Sequence, residues 1–216
     1  ESADEHATRG RELRRSVPRS SHAGWKPDKD RLDPVDLTLA SNKGRMANLL
    51  PIRHGRMSAS PFAFFRGSAA LMAADLATTP TTGIRVQACG DAHLMNFGGF
   101  ATPERNVIFD INDLDETLPA PFEWDVKRLA ASVVIAAHHI ELPAGDSADV
   151  AMDVVREYRV RVAEYASMRT LDVWYDRIDL QRYEDRTADP DFLESIRERV
   201  ADRVEAERRK SAPEHL

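Results

Sequence analysis

Residues 89–100 read CGDAHLMNFGGF. An aspartate, a histidine and an asparagine (Asp91, His93, Asn96) fall within six residues, ahead of a glycine pair. Before them, GIRVQACGD sets Ile84, Val86 and Ala88 alternately against Arg85 and Gln87, the period of a strand with one buried face. After them, FGGFATPERNVIFDINDLDE (97–116) predicts two short strands around a turn at residues 102–106. Val107, Ile108, Phe109 and Ile111 supply the second strand, and Asp110 and Asp113 stand at its exit. Acids and an amide at strand ends are carried on a rigid frame with their tips open, as catalytic groups often are. They are also the hard oxygen donors that magnesium prefers. Each of them alone is equally a turn residue bonding its own backbone, and only the set points to a site.

The flanking sequence predicts a mostly helical α+β chain. SASPFAFFRGSAALMAADLATTP (58–80) reads as one helix ending near Thr78, capped by Ser60 with Pro61 first and with Phe62, Phe65, Met72 and Leu76 on one face. VKRLAASVVIAAHHI (126–140), after the Pro-rich TLPAPFEWD, is long and apolar enough for a buried helix. An amphipathic helix follows, capped by Asp146 or Ser147 and repeating Val150, Val154, Tyr158, Val162 and Tyr165. A last helix carries Phe192, Ile196, Val200 and Val204 on one stripe. Residues 1–48 are polar with little period and read as an arm anchored by Trp25, leaving 49–216 as the domain, with a helical extension over 146–210.

Composition narrows the class. The 216 residues carry 42% hydrophobic and 31% charged side chains, ordinary for a globular protein. A net charge of -6 argues against a duplex nucleic-acid binder. No apolar run approaches the roughly 20 residues of a membrane helix. Cys89 is the one cysteine, so no internal disulfide forms, no zinc spacing exists, and the cytoplasm is the economical location. Cys89 itself reads as a buried small hydrophobe. The sequence starts at Glu1 with neither a methionine nor a basic-then-apolar leader, and reads as a piece of something longer.

Three strings in the same order, LLPIRHGRMSASPFAFFRGSAALMAADLA (49–77), CGDAHLMNFGGF and VIFDINDLDETLPAPFEWDVKRLAAS (107–132), closely resemble the bacterial domain-of-unknown-function 2252 family, most strongly over 49–135. More distantly, the pattern resembles the catalytic lobe of kinase-like phosphotransferases such as aminoglycoside and choline kinases. Those carry a Gly-Asp pair, an asparagine five residues after the aspartate, and a strand ending in Ile-Asp with an acid three residues on. Here the corresponding residues are Gly90-Asp91, Asn96, Asp110 and Asp113, although Phe109 precedes Asp110 in this chain.

That resemblance implies a magnesium- and ATP-dependent phosphotransferase acting on a small-molecule hydroxyl. Asp91 would be the catalytic aspartate, Asn96 and Asp110 metal ligands, and Asp113 a further acid supporting the metal or the loop. Asp125 matches an aspartate that braces the catalytic loop, and Cys89 stands where many relatives have histidine. His93 reads as a brace bonding backbone. The Gly-rich loop and strand lysine of such kinases do not precede Asp91; Arg53, Arg56 and Arg66 are the cations offered to phosphate instead. Family members are expected to continue past this C-terminus to a glycine-containing strand and a clamping lysine, so the lobes would be permuted and this chain would hold part of the fold. Two other readings stand beside this one. A metal-dependent phosphoester hydrolase would use Asp91, His93, Asp110 and Asp113, and a non-catalytic module would bind nucleotide or a protein partner. The sequence leaves the acceptor and the oligomeric state open.

Overall fold

The computed structural model describes residues 2–103 and 107–179. Along the chain these form α1 (Ala3–Ser16), α2 (Pro34–Ala40), α3 (Leu50–Met57), α4 (Pro61–Gly67), α5 (Ala69–Leu76), β1 (Arg85–Ala88), β2 (Phe97–Ala101), β3 (Val107–Ile111), β4 (Leu118–Pro121), α6 (Phe122–His139), α7 (Ala144–Ser167), α8 (Thr170–Tyr175) and β5 (Ile178–Asp179). The protein is α+β, mostly helical with small antiparallel sheets. It divides into two compact units, Glu1–Asn96 with Asp113–Met168, and Phe97–Asn112 with Arg169–Leu216. Among the described residues, no helix is long and apolar enough to cross a membrane.

The first unit opens on a helix where the sequence suggested a loose arm. End signals rather than an apolar period make α1: the Ser2 hydroxyl accepts from the Glu5 N–H, and the Glu5 carboxylate accepts from the Ser2 N–H. Acids in the first turn (Asp4, Glu5) and bases in the last (Arg14, Arg15) complement the helix dipole. Trp25, expected to anchor this segment, is half-exposed. Arg31 makes the tie instead, donating to both Asp75 oxygens at 2.6 and 2.8 Å.

The single helix predicted over 60–78 is two helices. Ser60 caps α4 as expected, its hydroxyl accepting from the Ala63 N–H at 3.1 Å with Pro61 in the first turn. The run breaks at Ser68 (φ -121°, ψ 39°), whose hydroxyl donates back to the Phe65 carbonyl. Gly67 sits against Met57, so close that a Cβ there would lie 2.6 Å from Met57 Cγ.

β1 pairs antiparallel with β4, from Arg85 opposite Pro121 to Ala88 opposite Leu118. β4 comes from the Pro-rich stretch that reads as a mere connection. Its prolines lack N–H groups, which an edge strand tolerates and a central one does not. Pairing starts at Arg85, so Ile84 lies outside the strand, and Ala88 is the buried member of the alternating set. The core is built of small residues, Ala88, Cys89, Ala92, Ala120 and Ala137, with Met57, Leu76 and Val133.

Helix α6 begins at Phe122, four residues before the apolar run, with Glu123 and Asp125 in its first turn. α7 packs along it, and Phe122 stacks on Tyr158 with centroids 6.4 Å apart. α7 starts after Pro143, not at Asp146 or Ser147; the Ser147 hydroxyl is buried and donates to the Pro143 carbonyl. Of its predicted stripe, Val154 and Tyr165 are half-buried while Val150, Tyr158 and Val162 are more exposed.

The second unit contains the predicted hairpin, β2 with β3, in register from Phe97 opposite Ile111 to Ala101 opposite Val107. Phe97 and Phe109 stack across it at 6.4 Å, and β5 adds to the free side of β3. The last amphipathic helix of the sequence reading lies outside the described residues.

Candidate active site

The site grows from the end of β1. Gly90 has φ +78°, and a Cβ built on it would lie 2.0 Å from the Glu116 carbonyl oxygen. Only glycine fits that close approach in the left-handed region. The turn it makes aims the N–H groups of Cys89 and Gly90 at one carboxylate. Asp125, in the first turn of α6, accepts from them at 2.7 Å (Oδ2) and 3.0 Å (Oδ1). This is the bracing that the kinase-like resemblance assigns to Asp125.

Two more α6 side chains continue the pattern. Arg128 donates from Nε (2.8 Å) and Nη2 to Oδ1 of Asp91, and Ser132 Oγ accepts from the Leu94 N–H at 3.0 Å. Asp125, Arg128 and Ser132 stand at positions i, i+3 and i+7, one face of a helix. Residues 89–94 therefore run alongside α6, bonded to it in order through Cys89, Gly90, Asp91 and Leu94. Arg128 is 2% exposed and Ser132 0%.

Asn96 closes the loop from the other side. Its Nδ2 donates to the carbonyls of Asp91 and Asp113, both at 3.0 Å, and its Oδ1 accepts from the Asp113 N–H at 2.9 Å. This amide, 4% exposed, thus joins the catalytic candidate to the segment entering from the hairpin. The Asp113 carboxylate is exposed, one oxygen accepting from the Asp115 N–H. Asn96 Oδ1 accepts one of the two hydrogen bonds an amide oxygen can take, so together with Asp113 it still offers oxygen donors of the kind magnesium uses.

His93 is 2% exposed, its Nδ1 accepting from the Met95 N–H at 3.1 Å and its ring edge-on to Phe62. It serves the loop as a brace, with Nε2 3.5 Å from Asp91 Oδ2. Cys89 is buried, and that burial pushes its thiol up from the ordinary value, as suits a packed sulfur rather than a nucleophile. Among the described residues, no three His, Cys, Asp or Glu side chains gather in a way that could hold a metal.

Asp110 belongs to the second unit, on β3 opposite Gly98, exposed, with Oδ1 accepting from the Ile111 N–H at 2.8 Å. Arg53 is tied to the Gly67 carbonyl at 2.8 Å and to Asn42 Oδ1 at 3.1 Å, so it braces helix ends. Burial, with Arg45 nearby, holds its pKa below the usual arginine value. Arg56 and Arg66 are exposed on α3 and α4. Arg128 is the arginine on Asp91, and the sequence reading passed over it. The available signal was an arginine three residues after Asp125, at the start of a largely apolar run.

No curated protein and no solved structure matches the chain. A family model does, over residues 45–216, and its description is "Uncharacterized protein conserved in bacteria (DUF2252)". Covering most of the sequence and including every loop and helix residue of the site just built, that match makes the chain a member of the domain-of-unknown-function 2252 family.

Proposed function

We propose that the protein is a magnesium- and ATP-dependent phosphotransferase of the kinase-like type, acting on the hydroxyl of a small molecule. One observation supports this reading above the rest. The Asp91 carboxylate is held by Arg128 in a loop bonded along α6, with Asn96 five residues on bonded to the Asp91 carbonyl and Asp125 bracing the two N–H groups before it. Phosphoryl transfer asks a protein mainly for positioning and charge neutralisation. A carboxylate locked in place supplies the positioning, and a bound cation would supply the neutralisation.

In this reading Asp91 orients the acceptor hydroxyl and takes up its proton as the oxygen attacks. Asn96 and Asp113 hold the cation, and the resemblance gives Asp110 a ligand's role as well. Bound Mg-ATP supplies the phosphoryl group and the charge that neutralises it. The hydrolase alternative needs Asp91 and His93 as metal ligands. The salt link of Asp91 to Arg128 and the bond to His93 Nδ1 weigh against it.

The test is calorimetric titration of ATP into the protein with magnesium and with EDTA, repeated for Asp113→Ala and Asp110→Ala. Magnesium-dependent binding, weakened about tenfold or more by either substitution, is expected. Absence of any magnesium-dependent nucleotide binding by the wild type removes the reading.

A further inference from the structure

Arg128 presents a physical puzzle. A guanidinium almost fully withdrawn from water carries a large desolvation cost, which is offset only when it is paired and its donors are satisfied. Its pairing is specific. Nε and Nη2 both donate to one oxygen of Asp91, Oδ1; Nη2 also donates to the Phe65 carbonyl at 2.9 Å; Nη1 faces Met72 Sδ at 3.6 Å. Its Cζ lies 4.4 Å from the centre of the Phe65 ring. The guanidinium is therefore clamped by α4, α5 and the loop at once.

The consequence falls on the two oxygens of Asp91. Oδ1 receives two donors, whereas among the described residues Oδ2 has the His93 Nε2 in range, at 3.5 Å, which is beyond a good hydrogen bond. With Nδ1 accepting from the Met95 N–H, a neutral His93 carries its proton on Nε2, a tautomer assigned from that bond.

Resting on the phosphotransferase reading, we infer that Arg128 is a positioning residue for proton transfer: by occupying Oδ1 of Asp91 and fixing the carboxylate plane, it makes Oδ2 the atom that receives the acceptor's proton. When the hydroxyl oxygen bonds to phosphorus, its O–H bond breaks and the proton moves to Oδ2, while the bond from phosphorus to the nucleoside diphosphate oxygen breaks. Arg128 itself exchanges nothing with substrate. A lysine in its place keeps the charge and loses the fork that holds the plane.

The test follows slow hydrolysis of Mg-ATP, in which water stands in for the acceptor, in wild type, Arg128→Lys, Asp91→Asn and the double variant. Misplacing a reacting group by about 1 Å costs on the order of a hundredfold in rate. Arg128→Lys is expected to lower kcat by roughly tenfold to a hundredfold, with KM for Mg-ATP unchanged, and to cost nothing further in the Asp91→Asn background. In protein with 13C-labelled aspartate carboxyls and no nucleotide, the Asp91 resonance should move in Arg128→Lys while those of Asp110 and Asp113 stay. If Arg128→Lys does not fold, Phe65→Leu, which removes the ring under the guanidinium, is expected to lower kcat severalfold at constant KM. Unchanged kcat in a destabilised Arg128→Lys, or the same fractional loss with Asn at position 91, overturns the inference and leaves the phosphotransferase reading standing. Failure of the wild type to turn over Mg-ATP overturns that reading, and the inference with it.

Discussion

Residues 89–96 and the hairpin that follows, 97–112, are neighbours in sequence but are held by different means. The loop makes no ladder. Its groups are bonded to side chains from far along the chain, Asp125, Arg128 and Ser132, and to Asn96 within it. The hairpin is a run of backbone pairs with a stacked Phe97–Phe109, and its acid, Asp110, bonds the next N–H. A ladder pairs backbone groups and leaves its side chains free. Long-range bonds to a buried helix allow no such freedom, so Asp91 is set before any ligand arrives. The difference separates a side chain fixed by long-range bonds from one that the ladder leaves free.

Paired substitutions in the two regions put this contrast to work. Gly90→Ala is expected to do the most damage, about 3 kcal/mol or more, since it combines positive φ with a backbone clash. Gly98→Ala meets only the Asn112 side chain, at 2.8 Å, and should cost about 1 kcal/mol. Urea unfolding of both variants measures the gap, and equal costs would break the contrast.

Next comes the pair of acids. Asp125→Ala leaves the N–H groups of Cys89 and Gly90 without their carboxylate and should cost about 2–3 kcal/mol. Asp110→Ala should stay within about 0.5 kcal/mol. Thermal unfolding monitored by circular dichroism decides it; a large loss with Asp110→Ala would mean that the hairpin acid is as structurally fixed as the loop.

What the sequence disclosed follows the same divide. The hairpin was legible because alternation and a turn are local signals, and Asp91, Asn96 and Asp113 because their spacing is distinctive. Asp125 came with the resemblance, and its bond to the loop is present. Arg128 was not legible: its partner lies 37 residues away, and an arginine beside a lysine in a helix ordinarily reads as a solvated face. α1 was hidden because caps, not periodicity, define it. β4 was hidden because Pro119 and Pro121 look like a connector until a partner strand is known. The α4–α5 break falls at Ser68, beside the close approach of Gly67 to Met57, a contact no local pattern contains.

The central claim is that this loop presents Asp91 for phosphoryl transfer. Phosphorus NMR of Mg-ATP incubated with wild type and with Asp91→Asn tests it most directly. The account predicts magnesium-dependent loss of the γ-phosphate signal with wild type and a rate lower by about a hundredfold or more with Asp91→Asn. Equal rates for the two proteins, or no γ-phosphate loss with wild type, would contradict it.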